Sequence, residues 1–195
     1  MVGNTPEAQA EIVWSGIVNI NIPSNIDGVY LNVITGQTGT AGAGVAGWDV
    51  NPYSATTLTW FSPSGGGSVR AGGSSTTLVD NLAPGFLVDA NSNTGGTWGG
   101  GTVESTGSTA WVLNSTANLT GFRFVNEATT LTHYGWMRVG LAGALNGQPR
   151  TIVEYAYESV AGQGIQAGAV PEPGTLGLLA MGAAGLVVSR RRRTA

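Results

Sequence analysis

Residues 119–158 read LTGFRFVNEATTLTHYGWMRVGLAGALNGQPRTIVEYAYE. Three runs stand out in them, LTGFRFVN (119–126), HYGWMRVGL (133–141) and TIVEYAYE (151–158), each rich in aromatic and β-branched residues. Runs of this length and composition, separated by Asn, Thr, Gly and Pro, are strands rather than helices. The rest of the chain repeats that texture. Residues 12–22, IVWSGIVNINI, put Ile12, Trp14, Val18, Ile20 and Ile22 on one parity and Ser15, Asn19 and Asn21 on the other, the period of a half-buried strand. Asp27-Gly28 closes a turn before an alternating run at 29–34, and further strands are expected at 57–61, 86–88 and 110–113. Turn signals at intervals of about 8–12 residues predict an all-β fold, an antiparallel β-sandwich or jelly roll, over residues 11–160. Residues 161–169, AGQGIQAGA, read as a flexible stalk.

The composition excludes several functions. Of 195 residues, 32 are glycine and 10% are charged; cysteine is absent, and every base is an arginine. Between residues 11 and 170 four arginines stand against nine carboxylates, a net charge near −5. Nucleic acid is therefore not an expected partner, since it demands a basic face. Without cysteine there are no disulfides and no thiol chemistry. His133 is the single histidine and no G-x-S-x-G elbow accompanies it, so it reads as a packing residue rather than a catalytic base. Glu154 and Glu158 lie four residues apart on one strand, roughly 13 Å, too far for a glycosidase pair. Such a pair would need Glu104 or Glu127 from another strand. The chain is read as a non-enzyme.

Two ligand chemistries are worth following. Asp89, Asn91 and Asn93 place oxygens at alternating positions, as the start of a calcium loop does, although the pattern then fails at Gly100, where the bidentate Glu would stand. Asp27 and the Asp49/Asn51 pair are equally rich in oxygen. Structural calcium is the only cofactor the residues suggest, against simple Asx-turn chemistry. Of the six tryptophans, Trp14, Trp60, Trp111 and Trp136 read as core. Trp98, within GGTWGGG, and Trp48, beside Asp49, are the two expected at the surface, where an indole can stack on a sugar ring. A lectin-like carbohydrate-binding domain is thus one reading, and a glycan-active hydrolase a further one.

The C-terminus carries an address. Residues 170–195, VPEPGTLGLLAMGAAGLVVSRRRRTA, join a short polar motif, an uncharged run from 174 to 189 and four arginines. The run, as a helix rising ~1.5 Å per residue, reaches about 24 Å of a ~30 Å hydrocarbon core. Arg190, Arg191, Arg192 and Arg193 would snorkel and hold the C-terminus in the cytoplasm as a stop-transfer signal. Val170-Pro171-Glu172-Pro173, the apolar run and the arginine cluster, in that order, resemble the PEP-CTERM sorting signal of Gram-negative bacteria. That resemblance implies a transmembrane helix over 174–189, and cleavage near Pro171, Glu172 and Pro173 by exosortase, a membrane cysteine transpeptidase. It also implies display at the cell surface or in the extracellular matrix, and the Gly/Ser/Thr/Asn-rich, weakly charged composition fits a structural or adhesive protein there, in association with exopolysaccharide, as the leading reading. The strands at 119–158 resemble a recurrent kind of PEP-CTERM ectodomain with no assigned role, and carry no functional residue over. At the other end, Ala8-Gln9-Ala10 has the small-x-small form of a signal-peptidase site just before the first strand, so residues 1–10 are expected to be the remnant of a signal peptide.

Overall fold

A computed structural model describes residues 11–69, 77–93, 98–107 and 110–171. Its strands are β1 (Ile12–Trp14), β2 (Ile20–Asn21), β3 (Tyr30–Leu31), β4 (Thr38–Gly39), β5 (Asn51–Tyr53), β6 (Thr59–Phe61), β7 (Gly67–Ser68), β8 (Leu87–Val88), β9 (Gly101–Thr102), β10 (Ser115–Asn126), β11 (Leu131–Leu141), β12 (Thr151–Glu158) and β13 (Ile165–Gln166). A single 3-10 turn, Gly42–Gly44, is the one helical element among the described residues. The fold is all-β, and every ladder between these strands is antiparallel. The three runs at 119–158 become the long central strands of a six-stranded sheet ordered β1-β12-β11-β10-β7, with β2 also on β12.

Both faces of this sheet are covered, and the register shows how the side chains divide. Phe122 lies opposite Gly135, Phe124 opposite His133, and Met137 opposite Tyr155. Phe122, Phe124, Met137 and Tyr155 pack into one core with Leu31, Val50, Leu58, Trp60 and Trp111, under the β5-β6-β9 sheet. The alternate residues Leu119, Tyr134, Trp136 and Ala156 face the other way. They form a second core with Val88, Ile165 and Ala167, under the β8-β13 pair. Alternation along a two-faced strand thus builds two cores from one sheet.

Residues 12–22 depart from the single expected strand. Gly16 and Asn19 adopt positive φ (69° and 48°), and the N–H groups of Val18 and Asn19 both donate to Val153 O, at 2.8 and 3.2 Å. The backbone bulges there and its parity is reset. Ile12 therefore packs in the second core while Ile20 and Ile22 pack in the first. Trp14, expected in the core, is 41% exposed; its Nε1–H donates to Glu154 Oε2 at 2.8 Å.

One end of the sandwich is closed by Arg150, which is fully buried. Its Nε–H donates to Ile22 O, Nη1 to Thr57 O and Leu145 O, and Nη2 to Pro23 O and Ser54 O, at 2.7–3.3 Å. All five guanidinium donors are therefore placed on backbone carbonyls of three loops. Burial lowers its pKa to about 10. Arg150→Met keeps the stem and removes the donors, leaving the loop carbonyls unsatisfied. It is expected to lower the unfolding free energy by about 3–5 kcal/mol, and Arg150→Lys by less, in urea titrations. An unchanged midpoint in Arg150→Met would contradict this role.

Candidate functional site

The residues that lead into the C-terminal address are part of the fold, which corrects the expectation of a stalk at 161–169. Ile165 pairs with Val88 and Gln166 with Leu87, and Ile165 and Ala167 are buried. Ala167 N–H donates to Phe86 O at 2.8 Å, and Gly85 N–H to Ala167 O at 2.9 Å. Ala169 N–H closes a turn on Gln166 O, and the buried Trp136 donates its indole N–H to Ala169 O at 2.9 Å. The physical reason is nonlocal: small residues and glycine, read locally as linker, are what fit beneath the second core's aromatic and aliphatic side chains. Among the described residues, Ala169 is the last that is bonded to the domain. Val170, 40% exposed, and Pro171 follow at the surface. Glu172, Pro173, Arg190–193, the apolar run 174–189, Ala8 and Ala10 lie outside the described residues.

The two surface tryptophans part company. Trp98 is half-buried against the second core, 5.8 Å from the Tyr134 ring, with the Arg123 guanidinium 5.2 Å from its centroid. One of its faces is thereby taken by a cation rather than offered to a sugar. Trp48 is also half-buried, but it stands edge-on to Tyr30 at 4.9 Å and 5.6 Å from Phe61, itself 50% exposed. It lines a pocket of about 340 Å³ with Gly47, Asp49, Pro63, Ser64, Val125 and Glu127. Glu127, which sequence offers only as a partner for a strand carboxylate, approaches Gly47 across six intervening strands, β5 to β10. The signal that was legible is the Trp48-Asp49 dipeptide.

Asp49 is buried beneath that pocket. Its Oδ2 accepts Val33 N–H at 2.8 Å. Desolvation raises its carboxyl to about 7; the Val33 bond opposes the shift and the neighbouring Glu127 adds to it. Tyr155 and Tyr157 are raised too, chiefly by burial and in part by Asp49. The pocket thus pairs an aromatic wall with two carboxyl groups, an arrangement suited to hydrogen-bonding hydroxyls of a polar ligand.

The remaining candidates are held by structural bonds. Asp89 Oδ1 accepts Asn91 N–H at 2.8 Å, and Ser92 Oγ–H donates to Leu87 O, an Asx turn. Asn93 donates to Ser68 O at 3.3 Å, away from that turn. Among the described residues no three acidic or histidine side chains converge on a metal position. Asn51 donates to Asp27 O and Val29 O. His133 is buried, stacked on Phe124, with Nδ1 2.9 Å from Glu158 O. Glu154 is bound by Arg138 Nε–H at 2.6 Å as well as by Trp14, and Glu158 accepts the N–H groups of Glu11 and Val160.

Compared with known proteins, residues 169–193 match the family model of the PEP-CTERM protein-sorting motif. That motif implies export and processing by an exosortase. No curated protein and no solved structure matches the chain.

The Asp49 carboxyl yields a pH prediction. Its folded pKa of about 7 lies above the ordinary 3.8, so the folded state holds the extra proton between those values. Stability should then fall as pH rises from about 4 to about 7, by at most about 1.4 kcal/mol per pH unit. Asp49→Asn keeps an acceptor for Val33 N–H and should abolish that slope in urea midpoints. A wild-type profile as flat as the variant's would exclude a protonated Asp49.

Proposed function

We propose that the chain is a precursor anchored in the inner membrane by residues 174–189, with Arg190–193 in the cytoplasm and residues 11–169 outside. Exosortase cuts near Pro171, Glu172 and Pro173, and the domain passes to the cell surface or extracellular matrix. There it serves as a structural or adhesive protein rather than an enzyme. The observation that carries this reading is the sorting motif at 169–193, which begins at Ala169, the last of the described residues bonded to the domain. The uncharged run followed by four arginines supports the anchor. The single histidine, fixed between Phe124 and Glu158, supports a non-catalytic role.

A second reading refines the first. The Trp48 pocket, with Asp49, Glu127 and the exposed Phe61, favours contact with exopolysaccharide. Aromatic rings stack on pyranose faces while the exposed Glu127 carboxylate accepts sugar hydroxyls, and no basic residue is among those that line the pocket.

Intact mass and cell fractionation test both. Expressed with its upstream region in hosts with and without exosortase, the chain should lose its arginine tail near Pro171–Pro173 and reach the surface or medium only with the enzyme. A retained tail in both hosts would leave a plain tail-anchored protein and refute the sorting reading. The released domain should remain with the matrix fraction, and Trp48→Ala should shift it to the soluble one; equal retention of the two proteins would remove the pocket from that role.

A further inference from the structure

The chain leaves the domain beside an uncharged apolar turn. Residues 83–87, Ala-Pro-Gly-Phe-Leu, form it. Phe86 N–H bonds to Ala83 O at 3.1 Å, and Gly85 has φ 83°. Proline second and a positive-φ glycine third are what a type II turn requires. The turn leaves Phe86 37% and Leu87 51% exposed, and the adjoining chain leaves Val170 40% exposed. These exposed apolar side chains stand on the turn and the exit segment that are bonded to each other, where the chain leaves the described domain.

The turn and the exit move as one piece. Ala167 is bonded to both Gly85 and Phe86, Gln166 pairs with Leu87, and Ala169 is held by Gln166 and Trp136. From Ala169 to Gly174, the first residue of the apolar run, there are five steps of chain. Fully extended these reach at most about 18 Å. The headgroup layer of one leaflet takes roughly 5–8 Å of that. On the anchored-precursor reading, the exit edge of the domain therefore lies against the bilayer surface.

We infer that the apolar turn formed by Phe86 and Leu87, together with Val170, seats the precursor's folded domain in the lipid interface of the membrane that anchors it. The inference rests on the anchor proposed above. The domain as a whole is acidic, so its attraction to phospholipid is apolar and does not need anionic headgroups. Of the carboxylates nearest in sequence, Asp89 is engaged in its own turn, and Glu172 lies two residues past Val170 within the cleavage motif. Seating the domain this way limits the swing of Pro171–Pro173 and presents them at the membrane surface, where an enzyme embedded in the bilayer can reach them.

The absence of native cysteine permits a clean test on the full-length chain. Leu87→Cys, Ile26→Cys and Leu179→Cys are each labelled with bimane and reconstituted in phosphatidylcholine vesicles, with and without lipid brominated in its acyl chains. Ile26 is 79% exposed, in the loop between Ile22 and Val29 of the opposite core, and serves as the control. Circular dichroism confirms that each labelled chain is folded. Loss of fluorescence at positions 87 and 179 but not at 26 is expected. Quenching at 179 alone overturns the seating while the anchor stands. Absence of quenching at 179 overturns the anchor and the seating with it. Protection of position 87 that arises only on adding exosortase would assign the turn to the enzyme and likewise overturn the lipid contact.

Discussion

The sandwich depends on one buried cation. Arg150 brings together the segment after β2, the β5–β6 connection and the loop before β12, and it does so without a carboxylate. Its five donors meet five backbone carbonyls. Irregular loops cannot satisfy their own carbonyls once water is excluded, and a planar, always-protonated fork with fixed donor directions answers that need where a lysine could not. The cost is desolvation of the charge, visible in the depressed pKa. A single carbonyl would not offset it; five dipoles converging on the same group do. With that end closed, β10, β11 and β12 are held as a rigid, two-faced platform, and both the Trp48 pocket and the chain exit are attached to it.

The same platform carries the chain to the start of its address. The second core takes the chain through β13 beneath Trp136 as far as Ala169, the first residue of the matched sorting motif. Among the described residues, every one that packs in the second core precedes the Pro171–Pro173 stretch near which exosortase processing is expected.

Much of this was legible in the residues. The three runs at 119–158 became β10, β11 and β12 with bounds shifted by at most four residues, because their aromatic and β-branched side chains fill both faces. Trp60, Trp111 and Trp136 are buried as expected. The C-terminal motif was readable because it is contiguous. What failed was nonlocal. The alternation at 12–22 is intact in sequence, but the bulge at Gly16–Asn19 rotates it, and Trp14 turns outward. Residues 161–169 have the composition of a linker, and only pairing of Ile165 with Val88 makes them a strand. An isolated arginine reads as surface, so Arg150 carried no signal. Trp48 and Asp49 are adjacent and were noticed; Glu127, contributed from just past β10, completes their pocket through the fold alone.

The central claim is that the folded domain extends to Ala169, leaving the sorting motif no stalk. Amide hydrogen exchange across residues 150–171 of the full-length chain tests it most directly. The account predicts that the N–H of Ala167 exchanges as slowly as those within β12, with protection lost only past Ala169. Exchange at Ala167 as fast as in a free peptide, while β12 stays protected, would restore the stalk and contradict the account.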